Sequence, residues 1–328
     1  MNPDFIFDSD IDFETKMRKV FSYQYEKLKP FRRFSDELGI GPTQIVQGET
    51  VPLLPVEAFR DAKITSIKPE KDTLRFRSSG TTGMKRSAHY VPDPELYRKS
   101  LHKGLQEFYP VDEFVILAYT PGYNENPDSS LIWMLNVLIN SDQTGLSRFL
   151  TPGEPISPMA LDAIKACNKR ILLFGAAFGL IDLAEKYPVD LPSDSIIMET
   201  GGMKTHRREM SRDELHKTLA GAFTLNPSQV HSEYGMTEML SQAYANGTGW
   251  FRCPNWLKIS VRNPMNPLQE VPAGEEGLIG IIDLANMYSC SFILTGDKGV
   301  QKEDGRFQVI GRFVPENLRG CNFLIDRD

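Results

Sequence analysis

The sequence predicts an α/β protein: a large, mostly parallel sheet covered by helices, followed by a smaller β-rich unit. Three observations predict it. Short continuous apolar runs at Phe114 to Tyr119 and Arg170 to Phe174 read as strands buried on both faces. Helical patterns separate these runs, and strand–helix alternation builds a parallel sheet with crossover helices. Past about Leu240 the alternation gives way to short strand-like pieces broken by Gly, Pro, Asn and Asp. The chain has 328 residues, more than one ordinary domain of ~100–200.

The elements follow in order. Phe13, Met17, Val20, Phe21 and Leu28 recur at helical spacing, and Pro30 is expected to stop the pattern. Val51 to Ile64 (VPLLPVEAFRDAKI) is Pro-punctuated and reads as extended chain wrapping a core. After the strand ending at Tyr119, a helix is expected around Leu131 to Ile139. Its apolar residues Leu131, Ile132, Trp133, Leu135 and Leu138 suit either helix core or an acyl pocket. Another helix begins at Ser157-Pro158, where serine can cap and proline suits the first position. A helix from Phe178 to Tyr187 follows the second strand, and Ser195 to Met198 gives a third strand ending in Glu199-Thr200-Gly201-Gly202. Ser211 with Glu214 forms a capping-box signature for the next helix, and Gln229 to Ser232 leads into Tyr-Gly-Met-Thr-Glu. The later strands are expected at Leu257 to Val261, Leu278 to Asp283, Phe292 to Leu294 and Phe307 to Ile310. The division this implies is an N-terminal helical and extended segment (1–75), an α/β core (76–240) and a β-rich subdomain (241–328). Ligands of parallel sheets collect beyond the carboxyl ends of the strands, where Gly201-Gly202 and Tyr234-Gly235 are expected.

Composition narrows the function. With 41% apolar and 24% charged residues the chain is globular rather than disordered. Lys and Arg total 37 against 43 Asp and Glu, a net charge of −6, which speaks against a general nucleic-acid binder. The acidic N-terminus lacks a signal-peptide pattern, and no run approaches the ~20 apolar residues of a membrane span. Cys167, Cys253, Cys290 and Cys321 form no CxxC pair, so a reduced, cytoplasmic protein is expected. Five histidines show no zinc-type spacing, and Ser232 lacks a G-x-S-x-G context.

The stretch richest in chemistry is Arg77 to Arg86. Ser78, Ser79, Thr81 and Thr82 interleave with Gly80 and Gly83, and Lys85 and Arg86 follow. Glycines let backbone N–H groups converge, hydroxyls add donors and cations balance charge, a combination suited to phosphate. A hydrophilic turn has the same composition, and the Walker spacing is absent.

Two later segments add weight: His231 to Glu238 (HSEYGMTE) and Leu294 to Val300 (LTGDKGV). In this order, with Gly311-Arg312 after them, the motifs resemble those of the AMP-forming, adenylate-forming superfamily, which includes acyl-CoA synthetases, adenylation domains and firefly-type luciferases. The resemblance implies ATP as co-substrate and Mg²⁺. Ser78, Ser79, Gly80, Thr81, Thr82, Gly83 and Lys85 would take the β- and γ-phosphates. Tyr234, with Gly235, would lie against adenine, and Gly201-Gly202 would form another wall. Thr237 would contact the α-phosphate and Glu238 would bind Mg²⁺. Asp297 would accept from the ribose hydroxyls with Arg312 beside it. Tyr234 as core and Asp297 as a turn residue are the competing readings.

Both ends resemble a narrower family, the acyl-protein synthetases of the LuxE type. VPLLPVEAFRDAKI is similar to the proline-rich stretch that precedes their phosphate loop, with Arg60 in place of the usual Lys. GRFVPENLRGCNFLID is similar to their Arg-Gly-Cys terminus. The resemblance implies activation of a fatty or other carboxylic acid as acyl-AMP, then transfer to Cys321. A reductase or carrier would be the accepting partner protein. Arg319 lies near Cys321, where a cation lowers a thiol pKa, although cysteine at this position also fits coincidence. Acyl-CoA synthetases continue well past the arginine matching Arg312, into a mobile domain with a catalytic lysine. This sequence ends 16 residues after Arg312, so a core lacking most or all of that domain is expected. Pro315-Glu316 also replaces the usual hinge context. Lys204 is the candidate for the missing cation, with a solvated surface lysine as its plain alternative. An acyl- or aryl-CoA ligase of the phenylacetate-CoA ligase type, and a silent nucleotide-binding scaffold, are the alternative functions.

Overall fold

The computed structural model describes residues 2–48, 50–78, 86–122, 126–201 and 210–313. Helix α1 (Phe13–Lys27) starts where the Asp12 carboxylate accepts from the Thr15 N–H at 2.8 Å, and it buries Met17, Val20, Phe21 and Gln24. Pro30 does not end helical structure. The chain breaks at Leu28, and α2 (Lys29–Glu37) resumes with Pro30 in its first turn, where its missing N–H costs nothing. Next come α3 (Pro42–Val46), β1 (Leu54–Pro55) and α4 (Ala58–Asp61). The stretch expected to be extended therefore holds a two-residue strand and one helical turn.

Strands β2 (Leu74–Arg77) and β3 (Ala88–Val91) pair antiparallel, with Arg77 opposite Ala88. The pairing continues one step further. The Ser78 N–H donates to the Ser87 carbonyl at 3.3 Å, and the Ser87 N–H donates to Ser78 Oγ at 3.1 Å. The hydroxyl-rich stretch is thus pinched shut at its base.

The main sheet is assembled from α5 (Pro94–Phe108), β4 (Phe114–Tyr119), α6 (Ser130–Ser141), β5 (Arg148–Phe149), α7 (Pro158–Ala166), β6 (Arg170–Ala176), α8 (Ala177–Lys186), β7 (Ile196–Thr200), α9 (Arg212–Ala222), β8 (Val230–Tyr234) and β9 (Ala243–Ala245). Its order is β5-β4-β6-β7-β8-β9, parallel except for the last pair. Every residue of β4 is buried because alternate side chains feed two cores. Val115 and Leu117 join Leu173, Leu180 and Leu219 on one face, and Ile116 joins Leu135, Leu138 and Leu172 on the other. Each such side chain contributes about 1.5–3 kcal/mol by leaving water. Leu135 and Leu138 are helix core, while Trp133 stacks on Tyr97 with centroids 4.6 Å apart. Of the two expected caps, Ser211 accepts from the Glu214 N–H at 3.2 Å. Ser157 occupies the cap position of α7, but its side chain makes no capping hydrogen bond.

The second sheet comprises β10 (Leu257–Asn263), β11 (Asn266–Glu270), β12 (Glu276–Asp283), β13 (Phe292–Gln301) and β14 (Phe307–Arg312). Its order is β1-β13-β12-β10-β11, with β14 also on β13. β1 runs parallel to β13, Leu54 opposite Ile293 and Pro55 opposite Leu294. Phe21 and Phe31 seal the junction, each ring within 5.6 Å of the Phe292 ring. β13 is longer than expected and contains Thr295-Gly296-Asp297, so Asp297 is a strand residue and not a turn residue.

Candidate active site

Tyr234 ends β8, and its buried hydroxyl donates to Asp297 Oδ2 at 3.0 Å, joining the two sheets. Burial and the Asp297 carboxylate push the phenol far above its ordinary pKa, so it remains a donor. The ring leans edge-on against Phe251 and Phe307, at 5.9 and 5.6 Å, so it is partly core, as one of the competing readings held. Asp297 sits opposite Arg312 in the β13–β14 ladder, with Oδ1 3.1 Å from Nε. Arg312 is 73% exposed and Asp297 15%. A carboxylate has about four acceptor positions. Tyr234 and Arg312 therefore leave Asp297 capacity for a ligand's hydroxyls.

Four residues beyond Tyr234, the buried carboxyl of Glu238 accepts from the Ser87 hydroxyl at the pinched base of the hydroxyl-rich stretch. Burial raises its pKa, and Ser87 and Arg312 act in the opposite direction. The Arg312 guanidinium pairs with Asp297 and also acts to lower the Glu238 pKa, so the two carboxyls share one cation's field. Thr237 is half-buried in the same segment. Gly201 follows β7 with φ +75°, a conformation glycine adopts without strain.

Ser78, Gly201, Tyr234, Gly235, Thr237, Glu238, Asp297 and Arg312 are the expected site residues within the described structure. Ser79, Gly80, Thr81, Thr82, Gly83, Lys85, Gly202, Lys204 and Cys321 lie outside it.

Residues 156–328, more than half of the chain, match the family model described as acyl-protein synthetase, LuxE. The chain belongs to the LuxE acyl-protein synthetase family. Curated relatives agree. The long-chain-fatty-acid–luciferin-component ligase of Vibrio harveyi is 22% identical across 93% of this chain and 85% of its own length. The ligase of the same name from Aliivibrio fischeri is 22% identical across 88% and 78%. Among solved structures, an open conformation of 2-hydroxyisobutyryl-CoA ligase with 2-HIB-AMP and CoA aligns with a TM-score of 0.65. It shares 14% identity over 92% of this chain and 69% of that one. ATP-bound MatB of Rhodopseudomonas palustris aligns at 0.52 with 16% identity over 73% and 47%. At such identities the structures establish the shared fold of this LuxE family member. Among the described residues, no helix is long and apolar enough to cross a membrane.

Several buried groups around the LuxE-family motifs carry no local sequence signal. Asp283 accepts from the N–H groups of Leu240 and Ser241 at 2.8 and 3.0 Å and from the Ser241 hydroxyl at 2.6 Å, fixing the chain just beyond Glu238. Burial raises its pKa to about 6. Glu233 accepts from the Thr200 hydroxyl where β7 and β8 end. A Cβ on Gly235 would lie 2.5 Å from Glu233 Oε1, so the glycine beside Tyr234 makes room for this carboxyl. Burial lifts the Glu233 pKa from 4.5 to about 7, assisted by the Glu199 charge. The protonated form is therefore favoured in the folded state, and stability falls as pH climbs from about 4.5 through 7. Glu233→Gln is expected to raise stability at pH 8 by roughly 1–3 kcal/mol, at ~1.4 kcal/mol per pH unit, and to change little at pH 5. Denaturant melts at the two pH values check this. Equal effects at both would show that ionisation is not the cause.

Proposed function

We propose that the protein couples ATP to a carboxylic acid, forms acyl-AMP with release of pyrophosphate, and passes the acyl group to a protein thiol. The observation that carries this reading is the Tyr234–Asp297–Arg312 chain of contacts, whose arginine also acts on Glu238, the carboxyl bonded to Ser87 at the base of the hydroxyl-rich stretch. Asp297 accepts from the ribose hydroxyls and Tyr234 lies against adenine, with Gly201-Gly202 opposite. Thr237 donates to the α-phosphate, and residues 78 to 85 hold the β- and γ-phosphates. Glu238 fits a magnesium ion, because one carboxylate plus phosphate oxygens is a donor set that suits it. When bound, the ion neutralises charge gathering on the phosphates.

A carboxylate oxygen attacks the α-phosphorus in line, and the bond to the bridging oxygen of pyrophosphate breaks. Positioning and electrostatics supply most of the rate. Lys204 is the candidate cation facing the attacking carboxylate. A thiolate then attacks the acyl carbonyl, forming a thioester and releasing AMP. Cys321 is the proposed thiol, and a reductase or carrier protein the onward acceptor. The names of the curated relatives favour a long-chain fatty acid.

Acid-dependent ATP–pyrophosphate exchange, measured over acids of graded chain length, tests the first half. Exchange with at least one acid is expected. Binding of ATP without exchange for any acid would favour a silent scaffold, and CoA-dependent thioester release would favour a CoA ligase. Asp297→Ala is expected to raise the KM for ATP about 10–100-fold, the loss of hydrogen bonds to a charged group worth ~1.5–3 kcal/mol. An unchanged KM would remove Asp297 from the ribose site.

A further inference from the structure

We propose that His89 and Asn286 form a buried brace that positions Thr237 and Glu238 against the strand leaving the hydroxyl-rich stretch, making His89 a positioning residue for the metal–triphosphate half of the site. The inference rests on the adenylating reading above and adds residues that none of the motifs contains.

His89 lies on β3, two residues beyond Ser87, and is fully buried. Its Nδ1 is 2.7 Å from the Thr237 carbonyl, and its Nε2 is 3.0 Å from Asn286 Oδ1. The Asn286 amide nitrogen donates to the carbonyls of Glu238 at 2.7 Å and Cys290 at 2.8 Å, which fixes the amide with its oxygen toward the ring. Both ring nitrogens face accepting oxygens; burial lowers the His89 pKa to about 4, so the ring is neutral, carries one N–H and donates to one of the two. The Phe59 ring packs against it in a T-shaped arrangement, with centroids 5.6 Å apart.

The brace is anchored in turn. Gln24 of α1 donates to the carbonyls of Asn286, Met287 and Ser289 at 3.2, 2.9 and 3.1 Å and accepts from the Ser291 N–H at 3.1 Å. Asn286 is thus held from the N-terminal helix while it holds the Glu238 main chain. The side chain of Glu238 is fastened independently to Ser87. Two attachments, Ser87 to the carboxyl and His89 to the adjoining carbonyl, both originate within three residues of β3 and its lead-in. They set the position of Thr237 and the Glu238 carboxyl relative to β3. Buried polar groups left unpaired are costly, so this geometry holds only while every member is present.

The test is calorimetric binding of ATP across a magnesium series, with adenosine, which lacks the phosphate assigned to Thr237, as the comparison. In His89→Leu the magnesium concentration for half-maximal ATP binding is expected to rise about 10-fold, the loss of one buried hydrogen bond and its orphaned partner. Adenosine affinity is expected to stay within about twofold of wild type on the same reasoning. His89→Asn, whose amide reaches the Nδ1 position, is expected to restore most of the loss, and His89→Gln, which reaches the Nε2 position, less. Equal weakening of ATP and adenosine, or no change in either, would overturn the proposal and leave His89 as core filler. If His89→Leu does not fold, the Asn and Gln variants decide, and identical magnesium curves for those two overturn it. Wild-type protein that binds magnesium-ATP but exchanges no pyrophosphate would defeat the adenylation reading alone, because the brace is read from binding.

Discussion

Cys321→Ser is expected to abolish the stable acyl-enzyme while leaving acid-dependent pyrophosphate exchange within about twofold of wild type, since on the proposed reading the cysteine serves only the second half-reaction. The thiolate is a strong nucleophile near neutral pH, whereas a serine hydroxyl without an adjacent base is not. Arg319, two positions away in the sequence, would favour the thiolate on this reading. Two of the other cysteines are unsuited to the role. Cys253 and Cys290 have thiols whose pKa is raised by burial, that of Cys290 to about 12. Cys167 is exposed at the end of α7 and serves as the control substitution. Labelled acid, ATP and magnesium followed by denaturing electrophoresis reads the outcome directly. Equal label on wild type and Cys321→Ser would end the acyl-cysteine assignment without touching adenylation.

Glu238→Gln separates chemistry from structure in the first half-reaction. Exchange is expected to fall ~10²–10³-fold, the usual cost of removing one preorganised electrostatic contact to a reacting centre. Stability is expected to hold or rise. Burial already disfavours the Glu238 charge, and glutamine keeps an acceptor for Ser87. A parallel loss of melting temperature and exchange would instead mean that the carboxyl holds the fold together.

What the sequence disclosed depended on how local the signal was. β4 was readable to the residue because both of its faces are buried, which makes the apolar run unbroken. The Ser211 cap was readable because donor and acceptor are three residues apart. Ser157 carries the same residue signal without the bond, and Pro30 opens a helix where it was expected to close one. Tyr234, Glu238 and Asp297 stood out because they fall in recognisable motifs. Ser87, His89, Asp283 and Asn286 did not, since each acts on a partner between 42 and 197 positions away. No periodicity or spacing rule reports a contact of that kind. Glu233 was invisible for a related reason: its environment is created by Thr200 and Gly235 only after two strands have aligned.

The pairing of β1 with β13 has a consequence for biosynthesis. About 240 residues must be translated after Leu54 before Ile293 emerges, an interval of roughly 10–50 s at ~5–20 residues per second. Until then Phe21 and Phe31 lack the Phe292 ring that covers them, and the nascent chain carries an unsatisfied greasy N-terminal helix pair. The aspartate strand takes an edge partner made about 240 residues earlier. On the proposed reading the ribose-binding aspartate is in place only after β13 has been made, and the helices carrying Phe21 and Phe31 stay uncovered until then.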